Sequence, residues 1–146
     1  MIFLAGFGYW KPGGTCVQGH LGKGLTVEEG DAAARLCGVN LLAILHADFG
    51  TLDGVERIVK VLGVVASPPD FTGHSSVIEG CTDLFVDLFG DEGRPARSAI
   101  GVASLPGGSA VENACLTHRS HLSPHGRDKR GLSAVRSKIG KRTSAT

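Results

Sequence analysis

The stretch Arg94-Pro95-Ala96-Arg97-Ser98-Ala99-Ile100-Gly101-Val102-Ala103-Ser104-Leu105-Pro106, with Gly107-Gly108 and then Val111-Glu112, decides the fold. It reads as a strand over about 96–104, a Pro-Gly-Gly turn, and a returning strand over about 110–117. An arginine enters the first strand and a glutamate lies in the second, both among small and apolar neighbours. Burying a guanidinium without a partner is costly, so Arg97 is hard to explain as packing. Its rigid fork of donors suits a carboxylate gripped at two points.

Working outward, Val55–Ala66 is rich in β-branched residues and becomes continuously apolar, as in a buried strand closed by Pro68-Pro69. Between them, Val77, Ile78, Cys81, Leu84, Phe85, Leu88 and Phe89 repeat at helical spacing. That predicts a helix to about residue 89, capped by Ser75 or Ser76. Upstream, Thr26-Val27-Glu28-Glu29 is a capping box, opening a helix over about 27–48 that ends near Gly50. Residues 1–5 predict a strand, and Cys16–Leu21 a short second strand paired with it. Tyr9 and Trp10 sit in the glycine-rich loop between. The order is β-β-α-β-α-β-β: an α+β fold with two helices on one face of a mixed sheet. The uncovered face, if apolar, is expected to be buried in an oligomer.

Charge is divided unevenly. Residues 1–117 hold 7 basic against 13 acidic side chains, about −6, while 118–146 hold 8 against 1, about +7. The second segment lacks apolar periodicity and is expected to be a disordered basic tail. It has little to read nucleic acid with beyond weak phosphate contacts. No apolar run reaches the ~18 residues of a membrane helix, and the opening residues lack the basic n-region of a signal peptide. Cys16, Cys37, Cys81 and Cys115 form no CxxC pair. Neither a zinc site nor a disulfide framework is expected, and the setting is cytoplasmic.

Arg97 and Glu112 form the leading constellation. Either Arg97 clamps a substrate carboxylate while Glu112 positions a water, or the two are a structural ion pair between neighbouring strands. Asp83 and Asp87 read as a solvated helix face. His20, His46 and His74 lack metal-ligand spacing, and His118, His121 and His125 fall in the expected tail. There is no GxSxG elbow, and Gly19, Gly22 and Gly24 lack the strand-before, helix-after context of a nucleotide fold.

From about Ile2 to Glu112 the chain resembles the RidA/YjgF reactive-intermediate deaminases, whose older names are endoribonuclease L-PSP and translation inhibitor. The resemblance rests on Ile2-Phe3-Leu4-Ala5-Gly6, Leu25-Thr26-Val27-Glu28-Glu29-Gly30, Ala33-Ala34-Arg35, Asn40-Leu41-Leu42-Ala43, Val59-Lys60 and Asp70-Phe71. Its most specific part is the series Pro95-Ala96-Arg97-Ser98, Leu105-Pro106 and Val111-Glu112. It implies a chorismate-mutase-like fold assembled as a homotrimer, with sites between subunits and no metal or cofactor. It also implies hydrolysis of small enamine or imine intermediates to a 2-oxo acid and ammonia. Arg97 takes the place of the arginine that holds the substrate carboxylate, and Glu112 that of the glutamate that orients water. The backbone at Ala5-Gly6 lines the same pocket.

Five departures accompany the resemblance. The family serine is Ala5, a pocket asparagine is Glu79, and a cysteine after the arginine is Ala99. The family segment with a pocket tyrosine has no counterpart before Met1, and the terminus beyond Glu112 diverges. They motivate a second reading, a trimer that binds small carboxylates without turnover. The basic tail and the older names motivate a third, an RNA-binding or RNA-cleaving protein.

Overall fold

The computed structural model of the protein describes residues 1–8 and 17–119. The expectations for Tyr9 and Trp10 and for most of the basic tail lie outside the described residues.

Helix α1 (Val27–Phe49) begins at the expected box. The Glu29 amide donates to Thr26 Oγ1 at 3.2 Å, and the Thr26 amide donates to Glu29 Oε2 at 2.9 Å. Two donors left over at the helix start are thereby satisfied. Gly50 ends the helix at φ 72°, donating to the His46 carbonyl. By length and composition alone α1 is apolar enough to cross a membrane, although it contains no uninterrupted apolar run of that length. Here it packs as a core helix, burying Ala33, Ala34, Cys37, Leu41, Leu42 and Leu45.

Helix α2 (His74–Phe89) starts at His74 and not after a serine; Gly73 occupies the cap position and gives no side-chain bond. The Phe71 ring packs against this start. It meets the His74 ring edge-on, with centroids 5.1 Å apart, and a Cβ at Gly73 would come within 2.9 Å of it.

Four strands form the main sheet: β1 (Ile2–Gly8), β4 (Val55–Ala66), β5 (Ala96–Val102) and β6 (Val111–Arg119). Their order is β1-β6-β4-β5. The expected hairpin of β5 and β6 is therefore corrected, because β4 lies between them, parallel to β5 and antiparallel to β6. The 3-10 turn at Pro106–Gly108 carries the chain across the end of β4. There the Ala66 amide donates to the Ala110 carbonyl, and the Ser67 amide to the Val102 carbonyl. The centre of the sheet thus falls to the strand with the longest β-branched run.

The second strand also differs from expectation. β1 pairs with β6. Its expected partner supplies only β2 (His20–Leu21), which pairs with β3 (Gly24–Leu25), while Gln18 bridges to Ser109. Gly19 at φ +126° turns the chain away from a continuous strand. β6 runs through His118, whose Nδ1 lies 2.6 Å from Glu56 Oε2, so ordered structure continues two residues past the expected boundary of the domain.

Both helices cover one face of this mixed sheet, an α+β fold of the expected class. Ile58, Val61 and Val65 of β4 are fully buried there, with Val111, Asn113 and Thr117 of β6. The opposite face carries Phe3, Leu62 and Ile100, which are 76%, 37% and 47% exposed. Asp83 and Asp87 are exposed as expected, with Asp87 pairing to Arg35 at 3.3 Å.

Candidate functional site

Strand parity sets where the functional side chains point. Paired residues on neighbouring strands share a face, and successive residues alternate. Arg97 pairs with Val61, which is buried under the helices, so Arg97 faces α2. Glu112 pairs with Val64, three residues along, so it lies on the opposite, uncovered face.

The arginine is held but not sealed. Its Nη1 donates to Thr82 Oγ1 at 3.3 Å, and its side chain is 26% exposed. Nη2 stands 3.9 Å from Glu79 Oε1, too far for a strong charge-assisted bond. Thr82 is only 8% exposed and donates in turn to the Glu79 carbonyl at 3.2 Å. The guanidinium thus has one fixed acceptor and free donors. A cleft of about 440 Å³ opens beside it, lined by Glu79, Thr82, Asp83, Arg94, Pro95 and Arg97 among others. The acidic side of α2 also reaches α1. Burial foremost, then repulsion from Asp83 and more weakly from Glu79, pushes the Asp31 carboxyl above its usual range, against the opposing Gly80 backbone bond and Arg35.

The glutamate sits apart from this cleft. Glu112 pairs with Gly8 across β1, and a Cβ at Gly6 would collide with the Glu112 carboxylate. Only glycine lets β1 run this close. Ala5 and Gly6 therefore accompany Glu112, whereas Glu79 accompanies Arg97. A structural ion pair between Arg97 and Glu112 is ruled out by their opposite faces, and one chain does not bring the two into a shared pocket. Ala99 lies on the face of Arg97, two residues along β5. Sequence reasoning assigned no part to Thr82 or Arg94. Thr82 stands three residues after Glu79 on one helix, a spacing that puts both on one side, but its partner strand is visible only in the fold. Among the described residues no group of three or more His, Cys, Asp and Glu side chains gathers to hold a metal ion.

The profile of the family described as "YjgF/chorismate mutase-like, putative endoribonuclease" matches residues 2–119. The chain belongs to this family. The YjgF match ends at Arg119, where β6 ends. Protein TCP17 of Trypanosoma cruzi is 50% identical over 100 residues, covering 68% of this chain and 62% of that protein; the chain spans less than two thirds of this relative. The crystal structure of Atu1372 from Agrobacterium tumefaciens, a protein of unknown function, superimposes with a TM-score of 0.78 at 35% identity, covering 81% of this chain and 77% of the other. A structure from Shewanella oneidensis described as a "putative endoribonuclease" gives 0.75 at 29% identity, covering 79% and 76%.

Proposed function

We propose that this YjgF protein hydrolyses small carboxylate-bearing enamine or imine intermediates, of the 2-aminoacrylate type, to a 2-oxo acid and ammonia. The observation that carries the reading is a fixed, part-exposed guanidinium with spare donors at the wall of a cleft. Arg97 grips the substrate carboxylate with its free N–H groups. Glu112 accepts a hydrogen bond from a water and directs its lone pair at the imine carbon. An enamine first shifts a proton from its nitrogen to its β-carbon to become the imine. Water then adds with formation of the C–O bond, its two protons pass to the nitrogen, and the C–N bond breaks, so that ammonia leaves and the oxygen remains as the carbonyl of the 2-oxo acid. The reading calls for no cofactor. Because the two half-sites lie on opposite faces of one sheet, the reaction needs Arg97 of one chain beside Glu112, Ala5 and Gly6 of another. The bare apolar face supports such an assembly, which the reading takes to be a homotrimer in the cytoplasm.

The test follows 2-oxo acid release from a freshly generated 2-aminoacrylate intermediate. Arg97→Ala is expected to drop the rate at least about 100-fold, toward the spontaneous one, in line with losing several kcal/mol of transition-state binding. Release by Arg97→Ala equal to wild type overturns the reading. A non-catalytic carboxylate-binding trimer is the second reading, favoured by Glu79 standing beside the clamp; saturable binding at Arg97 without any rate enhancement would select it. The relatives' endoribonuclease names raise a third, which RNA cleavage abolished by Arg97→Ala would select.

A further inference from the structure

The cleft beside Arg97 has a charge pattern that restricts what it accepts. Arg97 and Arg94 contribute two positive charges to its lining, and Glu79 and Asp83 two negative ones. Glu79 and Asp83 are four residues apart on α2, on one side of the helix, and both are exposed. The Glu79 carboxylate is the nearer to the clamp, with Oε1 3.9 Å from Arg97 Nη2.

A substrate carboxylate seated on Arg97 is therefore brought up to a second carboxylate on the same guanidinium. Two like charges held around one cation repel, most strongly at low ionic strength. A positive charge on the ligand, next to its own carboxylate, turns that repulsion into attraction. An α-ammonium or protonated imine nitrogen lies in that place. An uncharged 2-oxo group lacks it, and a second carboxylate makes the contact worse.

We infer that Glu79 makes the Arg97 cleft selective for ligands that carry a cationic nitrogen beside the carboxylate, that is, zwitterions of the α-amino or α-iminium acid class, and that it rejects dicarboxylates. The inference rests on the proposed role of Arg97 as the carboxylate clamp and assigns the substrate class at that same site. The Asp31 carboxyl of α1, pushed up first by burial, is also repelled by Asp83 and more weakly by Glu79. Asp31, Asp83, Arg35 and Arg94 are the other charged groups on this side of the cleft, and of these Asp83 and Arg94 line the cleft itself. A neutral amide in place of Glu79 keeps the side-chain shape and removes the discrimination.

Equilibrium binding to the full chain tests this without turnover. The probes are L-alanine as the zwitterion, pyruvate as the monoacid and malonate as the diacid, titrated by calorimetry at low ionic strength. Wild type is expected to bind L-alanine at least tenfold tighter than pyruvate, and pyruvate tighter than malonate. Glu79→Gln is expected to bring the three within about threefold of one another. Glu79 is exposed, so the variant folds. Wild type that binds pyruvate or malonate as tightly as L-alanine overturns the inference. So does an unchanged ranking in Glu79→Gln, or saturable binding of none of the three. Failure of the deaminase reading is separate: it shows as 2-oxo acid release that ignores Arg97→Ala, whatever the ligand ranking.

Discussion

Cys81 and Cys115 show what burial does to a single titrating side chain. Removal from water pushes the Cys115 thiol up to about 12, and Cys81 is raised as well, by burial first and by the neighbouring Cys37 and Cys115 after it. In the unfolded chain both titrate near the ordinary value of 9.0. Between these values the unfolded chain has released protons that the native one retains. The stabilising contribution is thus complete below about pH 9 and is lost as pH rises toward 12. Urea midpoints are expected to hold steady from pH 7 to 9 and fall above it, with a shallower fall in Cys115→Ala. Arg97 marks the other use of partial burial. Its fork stays partly exposed to solvent yet is held in place, because Thr82 accepts one of its hydrogens.

Between elements, glycines set the distances. A Cβ on Gly80 would run into the Asp31 carbonyl of α1, so the two helices touch through backbone there. Gly63 is the counterpart in β4, where an added methyl would overlap the Ile78 side chain of α2. Overpacking of this kind costs roughly 1–3 kcal/mol, since well-packed layers have nowhere to move. Gly80→Ala is expected to lower unfolding stability by that amount in urea denaturation at pH 7. Because Glu79, Thr82 and Asp83 flank the contact, it should also weaken L-alanine binding. The helices were legible at this scale because their signals are local. The box at Thr26 and the apolar period of α1 place its start at Val27 and its end within one residue, and the β-branched run gives β4 its bounds. Pairing was not legible. The Pro-Gly-Gly turn that signals a hairpin is also compatible with a longer crossing, and hydrogen bonds at the end of β4 select the latter.

At the scale of the whole molecule the dominant fact is a sheet with one covered face. Phe3, Leu62 and Ile100 leave apolar surface in water on the other; covering it contributes up to about 1.5–3 kcal/mol at Phe3 and less at the partly buried Leu62 and Ile100. In the proposed assembly that gain drives copies together through this face. Wild type is expected to sediment with the mass of three chains. Leu62→Lys combined with Ile100→Lys is expected to sediment with the mass of one and to lose 2-oxo acid release together with its mass. Wild type that stays single at high concentration would remove the proposed shared site.

Residue types and local spacing were enough to settle α1, the presence and end of α2, the central strand, the α+β class, and the nomination of Arg97 and Glu112. Each depends on chemistry or periodicity within a few residues, which the chain carries wherever it goes. Which way the two side chains face belonged to the tertiary structure alone. The irregular crossing over 103–110 breaks the alternation between β5 and β6, so parity cannot be carried from position 97 to position 112. Only their registers against β4, at Val61 and at Val64, put them on opposite sides of the sheet.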